Sequence, residues 1–259
     1  MKLPAHVVAV ENEMASAFRI ALADENVNLA FYERQSDPLE VLLHSHAHQI
    51  NNNFQFWCVK KPIDQIEKSL EQSINGIGNL PVDILEQFHD DVLKLAQLFV
   101  EVTGENMPFV SLRTVTQDYF SLNQTSVSNR YHRDSSVISL FKTFLGSGTQ
   151  WTTNENVIRA PWMKVSIQDI FEPDEKYLVD PSLFFETTCK TIGFLKGETC
   201  PKNIDIRSLE FIENFISRDE IVEFNVGNSL IHRGPGINGN EKRVLLTVSS
   251  FRLPIFNLK

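Results

Sequence analysis

The segment Tyr131-His132-Arg133-Asp134 places an imidazole and a carboxylate two residues apart, in a chain with seven histidines. On a strand, side chains at i and i+2 point to the same face, so His132 and Asp134 can aim together at one point. Imidazole nitrogen and carboxylate oxygen suit a divalent transition metal, but two ligands make a weak site and the pair alone decides little. The C-terminal segment "VEFNVGNSLIHRGPGINGNEKRVLLTVSSF" adds what is missing. A short strand ends at a second histidine, His232, a Gly/Pro/Asn-rich loop follows, and a further strand begins near Arg243. Two histidines and one carboxylate occupy one face of an octahedral ion and leave three positions open, enough for a bidentate 2-oxo acid and O2. Arg243, eleven residues beyond His232, could hold the far carboxylate of that acid through a two-pronged, charge-assisted pair.

Arg243 has a competing reading. In "RVLLTVSSF", Arg243, Leu245, Thr247 and Ser249 share one face and Val244, Leu246 and Val248 the other. If the polar face looks inward, the buried cation needs either a bound anion or a carboxylate of its own chain, such as Glu223 or Asp134. Arg113, in "VSLRTV", could pair with a substrate carboxylate, brace Asp134, or be an edge charge. Lys142 and Thr143 lie on opposite faces of one strand, so at most one looks inward. "GSGTQW" supplies two glycines for a tight turn or close backbone approach, and Trp151 as either an apolar wall of the site or a core tryptophan. "HSHAH" offers His44, His46 and His48 as chelators, or more simply as a solvated helix end complementing the C-terminal dipole. His89-Asp90-Asp91 reads as the solvated face of a helix.

These residues need a scaffold. A chain of 259 residues with 42% hydrophobic and 22% charged content has the statistics of a globular protein able to bury a sizeable core. Its 24 Lys and Arg against 33 Asp and Glu give a net charge of -9, which repels a phosphate backbone, so nucleic acid is not an expected partner. Cys58, Cys189 and Cys200 are far apart, odd in number and form no C-x-x-C pair, which fits buried hydrophobes in a reducing compartment. The N-terminal apolar stretch is broken by Glu11 and Glu13 and is too short for a signal core or a membrane span. A soluble, cytoplasmic protein without a membrane partner is expected, with its oligomeric state open.

Apolar residues at three- and four-residue steps (Ile84, Leu85, Phe88, Val92, Leu95, Ala96, Phe99), with Pro81 before and Gly104 after, predict an amphipathic helix from Val82 to about Val102. Shorter helices are expected from Asp37 to about His48 and Pro62 to about Ser73, with strands in "VNLAFYER" and "FQFWCVK". From Pro108 onward the texture turns to short β-like runs separated by Gly, Pro, Asn and Asp, with one helix around Ser208 to Ile216. The expectation is a single α+β domain over 1–259, with 1–107 mainly a helical support region and 108–259 a β-rich metal-binding core.

The order H-x-D, distal His, then Arg on "RVLLTVS" resembles the Fe(II)/2-oxoglutarate-dependent oxygenases. The blocks "NVNLAFYERQSDP", "SLRTV", "RYHRD", "KTFLGSGTQW", "FLKGE" and "LIHRGPG...KRVLLTV" resemble, over nearly the whole chain, a bacterial family filed as a domain of unknown function. The chain departs from that family at Ser128, where a cysteine is usual, and at "GSGT", where "GPGT" is usual. The 98 residues from Asp134 to His232 exceed the spacing in compact oxygenases, and "IFEPDEKYLVDPSLFFE" reads as an insert. The resemblance implies a double-stranded β-helix (jelly-roll or cupin-like) core with N-terminal helices packed on it. It implies Fe(II) on His132, Asp134 and His232, and 2-oxoglutarate near Arg243, Thr143, Trp151 and Arg113, for hydroxylation or desaturation of a small-molecule or peptide substrate. Two alternatives keep the same ligands: a cupin-like module that binds or senses metal without catalysis, and a Zn(II) hydrolase, which needs a nearby base but no buried arginine.

Overall fold

β-Branched and aromatic runs bounded by turn residues become strands in the computed structural model, which describes residues 3–117, 131–134, 136–158, 178–197, 200, 229–237 and 239–250. In chain order the strands are β1 (Val7–Ala9), β2 (Leu29–Glu33), β3 (Gln55–Cys58), β4 (Phe109–Val115), β5 (Ile138–Leu145), β6 (Gln150–Trp151), β7 (Phe185–Glu186), β8 (Thr191–Lys196), β9 (His232–Arg233) and β10 (Arg243–Ser249). Seven form one sheet in the order β1-β2-β8-β5-β10-β4-β3, antiparallel throughout except for the parallel pair β1/β2. The other three form a small antiparallel sheet, β7-β6-β9.

Four α-helices occur among the described residues: α1 (Ala15–Ala23), α2 (Pro38–Ser45), α3 (Ile63–Ser73) and α4 (Val82–Thr103). Local chemistry sets their ends. At α2 the Asp37 carboxylate accepts from the Glu40 backbone N–H at 3.2 Å and Pro38 opens the first turn. α4 stops where Gly104 takes a left-handed φ of 74°. The helices cover one face of the large sheet, α1 on β2, α2 on β5, α3 on β3 and α4 on β10.

Strand alternation sorts the two faces. Val244, Leu246 and Val248 of β10 join Ile84, Phe88, Leu95 and Phe99 of α4 in the helix–sheet core, where Phe88 meets Phe144 edge-on at 4.7 Å. Leu29, Phe141 and Leu195 face the other way and pack with Trp151 of the small sheet. All eight residues of β5 are therefore buried. The result is an α+β arrangement in which functional side chains can occupy the inter-sheet face while the helices support the opposite one.

Several expectations shift. The helix over 82–102 is present as expected, with Leu85 only partly buried. In the first 107 residues β2 and β3 fall in "VNLAFYER" and "FQFWCVK" as expected, whereas β1 and α1 were not anticipated, because three and nine residues give little periodicity. Asp91 is not solvated: it accepts from both Arg34 terminal nitrogens at 2.8 Å and is only 14% exposed. A 22-residue helix packed beside α1, α2 and α3 turns part of its polar face toward another element, which periodicity alone does not reveal. Of the segment read as an insert, the described part carries β7. The expected helix around Ser208 and the strand "IVEFNV" lie outside the described residues. No helix among those described is long and apolar enough to cross a membrane.

Lys142 points into the helical layer with no exposure, and its ammonium donates to Asp37 at 2.8 Å and to the Cys189 carbonyl. Burial would raise the Asp37 carboxyl, but the Lys142 bond and charge, with Arg34 behind them, hold it below the usual carboxylate range. Asp37→Asn leaves that ammonium buried without its counterion and should cost about 3–5 kcal/mol by denaturant unfolding. Because the folded-state pKa is depressed, the carboxylate's contribution is full above the unfolded value of about 4 and fades as pH falls through the folded one. The stability gap between wild type and Asp37→Asn should therefore narrow below about pH 4. Phe88→Ala should cost about 2–5 kcal/mol through the cavity it leaves against β5.

Candidate metal centre

His132 lies outside the named strands but is pinned to β9 by an isolated antiparallel bridge. Its N–H donates to the His232 carbonyl at 2.8 Å and the His232 N–H donates back at 2.9 Å. This exchange sets the imidazoles side by side, with ring centroids 4.4 Å apart. Two residues on, Asp134 Oδ1 stands 3.6 Å from His232 Nε2 and 3.9 Å from His132 Nε2. One ligand atom from each of the three lies within 4.8 Å of the others. Thus the 98 residues between Asp134 and His232 do not keep them apart.

The donor set fits a first-row divalent ion. Cis ligands at about 2.1 Å from an octahedral ion stand about 3 Å apart, so closing the carboxylate–imidazole edges takes about 1 Å or less. His232 Nδ1 lies 3.3 Å from the Leu230 carbonyl, a contact that favours the Nδ1–H tautomer and frees Nε2 as the ligand atom. His232 is nearly closed off, at 9% side-chain exposure, whereas His132 and Asp134 each keep 20%, so the trio is reached from one side.

Arg243 sits on the inter-sheet face, 3% exposed. Its Nη2 donates to Thr143 Oγ1 at 3.2 Å and to Thr149 Oγ1 at 2.9 Å, while Nε is buried without a hydrogen-bond partner. No carboxylate among the described residues forms an ion pair with it, Asp134 included; Glu223, the other expected partner, lies outside them. Burial, reinforced by the nearby Arg113 cation, pushes the Arg243 pKa down to about 9, with Cys189 and Glu186 pulling weakly the other way. Arg113 is not an edge charge. It sits on β4 between β10 and β3, opposite Leu245 and so on the same face as Arg243.

Thr143 faces Arg243 as the alternation with Lys142 requires. Trp151 lies directly opposite His232 in the β6/β9 register, yet its ring is 4% exposed and stacks on Phe185 at 4.4 Å. It therefore serves the inter-sheet core while lying beside the histidine. Thr149 was missed by sequence reasoning, because a hydroxyl carries no motif; its place two residues before Trp151, on the same face, was the available signal. Of the three histidines in "HSHAH", His46 turns its Nδ1 back to the Leu42 carbonyl at 2.9 Å, at the end of α2. A cavity of about 840 Å³ opens beside Arg243, with Gly146, Thr116, Lys242, His44 and His48 also in its lining; the His-Asp-His trio does not line it.

Residues 16–249 match the family described as "Protein of unknown function (DUF1826)". The chain belongs to that family. No curated protein matches this DUF1826 chain. Among solved structures it is similar to the dioxygenase for auxin oxidation in rice, at 10% identity and a TM-score of 0.46, covering 96% of this chain and 82% of that one. The 2-oxoglutarate binary complex of dioxygenase for auxin oxidation 1 from Arabidopsis thaliana gives 8% identity and 0.44 over 98% and 94%. A full-length Neurospora crassa protein in complex with alpha-KG gives 9% and 0.41 over 96% and 86%. With every score below 0.5, the chemistry of the site stands on its own atoms.

Replacing His132, Asp134 or His232 singly by Ala should lower Fe(II) or Mn(II) affinity at least tenfold in calorimetric titration, while circular dichroism stays that of the wild type, because the hydrophobic core is built without these three.

Proposed function

We propose that this protein is a non-haem Fe(II)-dependent oxygenase that uses 2-oxoglutarate and O2 to hydroxylate or desaturate a small-molecule or peptide substrate. The observation that carries the reading is Arg243, a buried guanidinium with two hydroxyl partners and no carboxylate among the described residues, on the inter-sheet face that also holds the His-Asp-His trio. On this reading the two packed sheets are the halves of a double-stranded β-helix.

His132, Asp134 and His232 would hold Fe(II) on one face. That ion, with 2-oxoglutarate and O2, supplies the oxidising chemistry. The chain supplies position. Arg243 binds the distal carboxylate, with Thr143 and Thr149 holding the guanidinium plane and Arg113 adding positive potential. Thr149, just before β6, touches Arg243, and Trp151 of β6 pairs with His232, so one short segment borders both the arginine and a histidine of the trio. Trp151, Phe141 and Leu195 keep water from the inner end.

A Zn(II) hydrolase or a non-catalytic metal module has no use for an unneutralised arginine on this face. The test is anaerobic addition of Fe(II), then 2-oxoglutarate, to the chelator-treated protein. A weak visible metal-to-ligand charge-transfer band is expected. Arg243→Lys keeps the charge but loses the planar fork, and should weaken 2-oxoglutarate at least tenfold, about 1.4 kcal/mol, with Fe(II) affinity unchanged. No band with Fe(II) bound, or equal 2-oxoglutarate affinity in both proteins, overturns the reading.

A further inference from the structure

A second group of ligand atoms stands apart from the His-Asp-His trio. Glu40 and His44, four residues apart on α2, share a helix face, and Cys189 comes up to them from the turn before β8. One ligand atom from each lies within 4.8 Å of the others. We propose that Glu40, His44 and Cys189 form a second metal site, for a thiophilic divalent ion of the Zn(II) type. It is independent of the oxygenase reading.

Two observations besides proximity point there. Glu40 Oε2 is shielded from solvent and has no hydrogen-bond partner, a costly state for a carboxylate that a bound cation would relieve. Lys142, the buried cation nearby, does not serve it, because its ammonium is bonded to Asp37 and to the Cys189 carbonyl. His44 is solvent-exposed and borders the 840 Å³ cavity, which gives an ion a route in and a water a place at the fourth position. The donor chemistry discriminates between the two sites: nitrogen, oxygen and thiolate sulfur here suit Zn(II), whereas the nitrogen–oxygen trio suits harder ions.

Ligation changes no oxidation state. The Cys189 thiol, which now donates to the Gly146 carbonyl at 2.8 Å, loses its proton to solvent and gives that bond up for the metal–sulfur bond. Burial holds the thiol proton on in the metal-free protein, with a pKa pushed up to about 11, so the proton leaves with the arrival of the ion. One carboxylate and one thiolate then balance a divalent charge, and the ion ties α2 to the turn before β8.

Co(II) is the probe, added anaerobically to the chelator-treated full chain, because thiolate-bound Co(II) has an intense near-ultraviolet charge-transfer band that the His-Asp-His trio cannot give. Wild type should develop the band, saturating at one thiolate-bound equivalent, and Zn(II) should displace it. Cys189→Ser should lose the band while keeping the other equivalent; Cys58→Ser, Cys200→Ser and the His132→Ala/Asp134→Ala pair should keep it. His44→Ala, at an exposed position the fold tolerates, should weaken band-forming Co(II) at least tenfold. A wild type without the band, a band that survives Cys189→Ser, or unchanged affinity in His44→Ala overturns the proposal.

Discussion

A guanidinium at 3% exposure, held by two neutral hydroxyls, is a desolvated cation whose Nε–H is left idle. Hydroxyl oxygens orient it but do not neutralise it, and Arg113 on the same face makes the charge worse. Everything around Arg243 is arranged to keep it there. β10 is central, flanked by β4 and β5, so the backbone at Arg243 cannot relax toward solvent, and a bulge against β5 at Val244/Leu245 sets the strand's register. The same inter-sheet face thus carries a buried guanidinium without a carboxylate partner among the described residues.

The contrast with Lys142 sharpens the point. Lys142 and Thr143 are adjacent on β5 and face opposite sides of the sheet. On the helical side the buried ammonium has a carboxylate at 2.8 Å, supplied by the residue that caps α2, so one Asp37 side chain starts a helix and neutralises a cation. Arg34 extends the network to Glu13 and Asp91, joining the end of β2 to α4. On the inter-sheet side, one residue away, Arg243 has only hydroxyls as hydrogen-bond partners among the described residues. Among the described residues, one buried cation thus has a carboxylate partner and the other has only hydroxyls.

Sequence reasoning reached these features unevenly. The helix α4 was legible because 22 residues repeat their apolar spacing turn after turn, and β4, β5, β8 and β10 because β-branched runs are bounded by turn residues. His132, Asp134, His232 and Arg243 were legible as residue types in order, and their convergence is a matter of pairings such as His132 with His232, a hundred residues apart, that no local pattern encodes. The two-residue strands β6, β7 and β9 are shorter than any periodicity can register. Asp37 with Lys142, Thr149 with Arg243, and Cys189 with Glu40 and His44 are all long-range partnerships between common residue types. In each case the tertiary fold, not the local preference of the segment, chose the partner.

The small sheet is where these links meet. β6 lies beside His232 through Trp151 and follows the "GSG" turn out of β5, and Thr149 between turn and strand touches Arg243. Gly146 takes a left-handed φ of 84° with the Lys242 carbonyl and the Arg243 Cα against the place a Cβ would fill. Gly148 has the Thr187 backbone in that place. Both glycines are required by close approach, one to the strand that carries Arg243 and one to the segment leading to Cys189. Ser147, between them, is exposed. The turn thus fixes where β6 begins, and Thr149 with β6 links the strand that carries Arg243 to the strand that carries His232.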